Sequence, residues 1–183
     1  MKTITTILLM AVTLSGFAQD KYFTRNGNIS FFSSTPVEDI KADNFNATAV
    51  LDSKTGAFEF SVLMKSFNFK KALMQEHFNE NYVESSKFPK SVFKGSIENI
   101  SDVDFSKDGE YPVAVSGEIT LHGVTKQITT PGVLTVSGEK INSNAVFKLS
   151  PEDFDIEIPS VVRDKIANEI EVTVAAELEA LKR

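Results

Sequence analysis

The stretch Ile170-Glu171-Val172-Thr173-Val174-Ala175-Ala176-Glu177-Leu178 sets Ile170, Val172, Val174, Ala176 and Leu178 on one side and Glu171, Thr173, Ala175 and Glu177 on the other. A period of two marks a strand with one face buried and the other wet. The strands of a parallel sheet, covered on both sides, would be apolar on both. The same alternation runs through Phe45, Ala47, Ala49 and Leu51, crosses the turn residues Asp52-Ser53-Lys54-Thr55-Gly56, and resumes at Phe58, Phe60 and Val62. Two such runs around a short Gly-containing loop read as an antiparallel hairpin. Val113, Val115, Gly117, Ile119 and Leu121 form a further run, turned by His122-Gly123 into residues 124–130, and Gly138-Glu139 leads into residues 141–149. With further strands expected near residues 22–24, 28–34 and 91–100, about eight to ten short strands point to an antiparallel sandwich or barrel.

One segment breaks the pattern. In residues 71–85, Leu73, Met74, His77, Phe78 and Tyr82 recur at helical spacing, while Glu76, Glu80 and Glu84 stand four apart on the other side. This predicts one amphipathic helix with a solvated acidic face. Pro159 and Ser160, the latter as cap, suggest a second and shorter helix over residues 161–167. The fold class is therefore all-β with one short amphipathic helix, in a single domain, since 183 residues suit one core and no repeat or long linker divides them.

The first eighteen residues read as an address. Lys2 precedes an uncharged apolar stretch from Ile4 to Phe17, and Gly16 and Ala18 supply small residues before Gln19-Asp20. These are the parts of a secretory signal peptide over residues 1–18, cleaved after Ala18. A membrane anchor needs about 20 apolar residues, and polar residues follow too early, so no transmembrane anchor is expected after cleavage. The remaining domain, residues 19–183, carries 18 positive and 25 negative charges, a balance of −7. An acidic, exported chain with no Cys fits a bacterial periplasm, with the extracellular space as the other destination.

Composition excludes much chemistry. No basic run is present, so nucleic acid is not an expected partner. Without Cys there is no disulfide, thiolate metal site or Cys nucleophile, and catalysis or metal binding would fall to His77, His122 or carboxylates. No G-x-S-x-G stretch supplies a nucleophile elbow, and Asn81 stands where a zinc helix would carry its second His after His77. Asp102, Asp104, Ser106 and Asp108 imitate the start of a calcium loop, but Lys107 takes the turn position that wants Gly and Val113 the position that wants Glu. No catalytic residue, metal or cofactor is expected. What stands out instead is apolar, namely 15 Phe and no Trp. Phe packs cores by default, yet an eight-stranded barrel is either filled or just wide enough for a small ligand. On residue pattern alone both readings stand.

Two stretches bear on that choice. Met74-Gln75-Glu76-His77-Phe78 with Tyr82-Val83-Glu84-Ser85-Ser86-Lys87-Phe88-Pro89 and Phe93-Lys94-Gly95 resembles the helix and following strand of the YceI-like family. Gly117-Glu118-Ile119-Thr120-Leu121-His122-Gly123-Val124-Thr125-Lys126 resembles that family's G-x-L-T-x-H-G-V-T-K hairpin. The resemblance runs from about Tyr22 to Leu178. It implies an antiparallel lipocalin-like β-barrel, exported to the periplasm, that holds a polyisoprenoid, isoprenoid quinone or fatty-acid-like amphiphile without catalysis. Two departures stand out: Pro151-Glu152-Asp153-Phe154-Asp155 replaces the family's Arg-x-Asp-Phe-Gly, and Asn26 to Phe31 lacks the His that many members carry.

A pocket of the implied kind would be walled by Phe31, Phe45, Leu51, Phe58, Phe60, Met64, Phe67, Met74, Val115, Ile119, Phe147, Val172 and Val174. His77, Phe78 and Tyr82 would flank it from the helix, with His77 and Tyr82 supplying the polar groups that orient a headgroup. His122 and Gly123 are expected to build a tight turn rather than touch ligand. The expected partner is thus an apolar small molecule, and nothing in the sequence decides against a homodimer. The competing expectation is a solidly packed structural or interaction protein of the envelope without a ligand.

Overall fold

A computed structural model describes residues 20–181, so the expected signal peptide lies outside the described residues. The strands are β1 (Lys21–Ser34), β2 (Asp39–Asp52), β3 (Ala57–Leu63), the two-residue β4 (Asn68–Phe69), β5 (Lys90–Ile97), β6 (Gly109–Leu121), β7 (Val124–Ser137), β8 (Lys140–Leu149) and β9 (Ile170–Ala180). Every pairing is antiparallel. Hydrogen bonding follows the order β1-β9-β8-β7-β6-β5-β3-β2, and β1 pairs back onto β2 from Lys21↔Asp52 to Ser34↔Asp39. Eight strands therefore close into an up-and-down barrel with no free edge. β4 adds to β2 at Ala42↔Phe69.

The alternation that predicts β9 is realised: Val172, Ala176 and Leu178 are buried inside, and Glu171, Glu177 and Glu179 are exposed. β2 behaves differently. Its inward residues are Ala42 and Asn44 and then Ala47, Ala49 and Leu51, because the register steps from Ile29↔Asn44 to Gly27↔Ala47 and leaves one extra residue on β2. That β-bulge corrects the expected face of Phe45, which points outward and is 54% exposed. Asn44 holds the kink, its amide donating to the Leu63 carbonyl (3.0 Å) while its Oδ1 accepts from the Asn46 N–H (2.9 Å).

The expected 71–85 helix is shorter. Helix α1 covers Ala72–His77 and passes into a single π-helical turn over Phe78–Tyr82. The expected helix over residues 161–167 is replaced by a 3-10 turn at Ser160–Val162, with no capping bond from a side chain. This stretch is instead tied to the barrel where the Ala167 N–H donates to the buried Ser33 hydroxyl (2.9 Å).

The two barrel ends differ. At one end Leu51, Leu134, Val136, Ile141 and Leu178 are almost fully buried. There Tyr22 stacks on Phe105 (5.9 Å between centroids), and the 100–108 connection between β5 and β6 closes the opening. At the other end the strands splay around a void, covered by α1, its π-turn and the long connection from β8 to β9.

Candidate functional site

The void is a cavity of about 540 Å³. Its inner wall comes from the inward positions of the strands: Ile29 and Phe31 on β1, Val62 on β3, Ile119 and Leu121 on β6, Phe147 and Leu149 on β8, and Ile170 and Val172 on β9. Alternation brings these together, since a closed barrel turns every second side chain inward. The outer wall has two halves of different chemistry. On the helix side Phe31, Phe67, Phe69 and Phe78 form an aromatic cluster, with Phe78 centred 5.4, 5.6 and 5.1 Å from Phe31, Phe67 and Phe69. Each such pair contributes about 0.5–1.5 kcal/mol beyond area burial, so Phe78 pins the π-turn to β1 and β4. On the facing side the β8–β9 connection supplies Phe154, Ile156, Ile158, Val162 and Ile166. A second cavity of about 80 Å³ lies deeper and shares Ile29, Val62, Ser91, Ile119 and Phe147 with the first.

Polar groups are few. The buried Ser91 hydroxyl donates to the Thr120 carbonyl (2.9 Å). At the rim Lys71 donates to Glu38 at 2.8 Å, and His77 and Lys165 are exposed. Because exposed residues line it, the cavity reaches solvent on this side. Tyr82 is half-buried in the wall, and burial raises the pKa of its hydroxyl, which stays neutral at physiological pH.

Beside the rim, three distant segments meet at His122. His122 and Gly123 have φ of 52° and 80°, the mirror-image turn that a two-residue hairpin needs. A Cβ on Gly123 would come within 2.6 Å of the Phe88 ring. The His122 ring is packed edge-on against Phe88 (4.6 Å) and aims Nδ1 at the Phe154 carbonyl (3.0 Å) and Nε2 at the Glu84 carboxylate (2.9 Å). Both nitrogens face oxygen atoms, one a backbone carbonyl and the other a carboxylate. The hydrogen bond from His122 holds the Glu84 carboxyl below the usual carboxylate range, aided by Lys87. Glu84 therefore does not share the solvated face expected with Glu76 and Glu80. Among the described residues, the non-glycine positions with positive φ are Glu84 (43°), His122 (52°) and Asp155 (54°), all at this junction. Asp155 occupies the place where the family pattern has Gly, and the backbone there adopts the left-handed conformation that Gly favours and Asp tolerates.

The sequence-predicted wall residues divide into three groups. Phe31, Met64, Phe67, Met74, His77, Phe78, Tyr82 and Val172 line the large cavity, and Ile119 and Phe147 line both. Phe58, Phe60, Val115 and Val174 line the small inner one. Two need correction. Phe45 is outside for the reason given above, and Leu51, fully buried, lies in the solid end and lines neither cavity. Sequence reasoning missed the whole β8–β9 wall. Its signal was present as Ile156 and Ile158 alternating with Glu157 and then Val162 and Ile166 four apart, too many apolar residues for a free connector.

Among the described residues no cluster of His and carboxylates could hold a metal ion, and no helix is long and apolar enough to cross a membrane. Asp102, Asp104 and Asp108 turn to separate partners: Asp102 accepts from Asn99, Asp104 from Ser106 and Asp108 from the Gly138 N–H.

An up-and-down barrel closed at one end, with a carbon-lined interior open at the other, defines a lipocalin-like container. Within that class, the chain belongs to the YceI-like family, whose domain profile matches residues 21–178. No curated relative matches the sequence. Solved structures share the fold at low identity. A polyisoprenoid binding domain from Saccharophagus degradans implicated in plant cell wall breakdown is 14% identical, with a TM-score of 0.77 over 89% of this chain and 99% of that one. Burkholderia cenocepacia BcnA is 14% identical, with a TM-score of 0.68 over 83% and 95%. The Campylobacter jejuni YCEI protein is 14% identical, with a TM-score of 0.59 over 77% and 85%.

Proposed function

We propose that the protein binds one long apolar molecule in the barrel, without catalysis, for transport, storage or sequestration in the cell envelope. A polyisoprenoid, an isoprenoid quinone or a fatty-acid-like amphiphile fits this description. The observation that carries the reading is the cavity itself. Its volume of about 540 Å³ lies within the range of small-molecule sites, about 300–1,000 Å³, and its lining is almost wholly carbon. Each methylene moved from water into such a lining contributes about 0.8 kcal/mol, so a chain of about ten carbons reaches useful affinity before any polar contact forms. The membership of the family and the polyisoprenoid-binding description of the Saccharophagus relative support the same class of ligand. The void counts against the solidly packed alternative. The leader expected over residues 1–18 sets the proposed compartment as the periplasm, where an apolar molecule between two membranes needs a carrier or a store.

The absence of Trp supplies the test. Phe147→Trp puts a single indole against the cavity, and Phe45→Trp puts one on the outer wall. Adding geranylgeraniol should change the emission of the first, saturably and at one equivalent, and leave the second unaltered. Equal responses, or none from Phe147→Trp, would sink the proposal.

A further inference from the structure

The rim of the cavity is asymmetric in charge. Whole-chain charge is −6, yet the charges lining the cavity are Glu38, Lys71 and Lys165, with His77 as the remaining ionisable imidazole. Glu38 and Lys71 neutralise each other at 2.8 Å. Lys165 has no carboxylate within ion-pair distance among the described residues, and its chain neighbour Asp164 does not line the cavity. The aperture of an acidic protein thus presents one unpaired cation.

Lys165 is also held in place. Its own N–H donates to the Val162 carbonyl (3.0 Å), and two residues on the Ala167 N–H donates to the Ser33 hydroxyl, which is 2% exposed on β1. Val162 and Ile166, on either side, face the cavity. The loop therefore fixes the lysine's backbone over an apolar wall, so its four-carbon stem extends that wall while the ammonium meets whatever stands at the opening.

We infer that the site selects amphiphiles with an anionic oxygen headgroup, a carboxylate or a phosphate monoester, seated at Lys165 with the chain in the barrel. The inference rests on the apolar-ligand reading above and goes beyond it in naming the headgroup. A charge-assisted hydrogen bond adds selectivity to an affinity set by the chain, and a cationic headgroup would meet the lysine as a like charge. Because the site opens to water, screening limits the gain, and salt weakens it.

The test uses the delipidated protein, residues 19–183, titrated at low salt by calorimetry with dodecanoate, dodecyl phosphate and dodecanol. At least one anion should bind about five- to tenfold tighter than the alcohol, as expected for one partly screened charge-assisted contact. The arm showing the larger gain distinguishes carboxylate from phosphate. Lys165→Gln should abolish the advantage of the anions over dodecanol, both measured in that variant, and Lys165→Arg should keep the preference. If wild type binds all three equally, or the preference survives in Lys165→Gln, the headgroup inference is overturned while the pocket reading stands. If wild type binds none of the three, the pocket reading itself fails, and this inference falls with it.

Discussion

The closed and open ends of the barrel are built from the same eight strands by the same alternation, yet one is solid and the other hollow. On β9 the contrast spans six residues. Leu178 and Ala176 sit in a fully packed end, and Val172 lines the cavity. At the closed end small and large residues are buried in one core, Ala47 and Ala49 together with Leu51 and Leu178. At the open end the strand interiors are no less apolar, but the segments that cover them stand off. A short helix with a π-turn and an irregular connector span the opening without filling it. The proposed function thereby separates stability and binding along one barrel axis, and substitutions should reveal which end they touch.

The largest effect should come from the solid end. Leu178→Ala removes a fully buried side chain and should cost about 2–5 kcal/mol in denaturant unfolding, with ligand affinity per folded molecule unchanged. A comparable loss of affinity would mean that the two ends are coupled. The next test has opposite signs at the two ends. Ala176→Phe overpacks and should destabilise by about 1–3 kcal/mol, whereas Val172→Phe grows into the void and should leave the unfolding midpoint level or raise it while weakening binding. If Val172→Phe destabilises as much as Ala176→Phe, the void is not available space.

Smaller effects belong to the junction at the rim. Glu84 has its folded-state pKa depressed by the hydrogen bond from His122, so its contribution to stability is present above the ordinary value of 4.5 and is lost as pH falls through the lower folded value. Between about pH 5 and 3 the wild type should therefore lose stability more steeply than Glu84→Gln, as followed by urea midpoints at each pH. Identical slopes would show that the bond carries no linkage. The smallest change is Asp155→Gly, which relieves a left-handed residue at the cost of a freer unfolded chain and should shift stability by less than about 1 kcal/mol in the favourable direction. A clear loss would mean that the Asp155 side chain contributes a contact of its own.

How much of this was legible in the sequence follows from how local each signal is. β9 and the β6–β7 hairpin are written in uninterrupted alternation, and His122-Gly123 announces its turn by residue type. The β2 bulge was hidden because Asn44-Phe45-Asn46 keeps the period on paper: an alternating reading puts Phe45 with Ala47, and only the pairing with β1 reveals the extra residue. α1 was overextended because its apolar spacing continues through Tyr82, although the backbone widens to a π-turn at Phe78. The junction was invisible for a different reason. Glu84, His122 and Phe154 are 38 and 32 residues from one another along the chain, and nothing local marks a three-way contact. One of the two halves of the outer wall was missed likewise, since the β8–β9 connector has apolar residues without either regular period.

The central claim is that the open end holds an apolar molecule. Expressed from its full sequence in a bacterial host and purified without detergent, the protein should show in native mass spectra a stoichiometric adduct that organic solvent removes and that reappears in the extract as a lipid. A bare mass in the native spectrum, unchanged when the purified protein is then incubated with geranylgeraniol or dodecanoate, would contradict it.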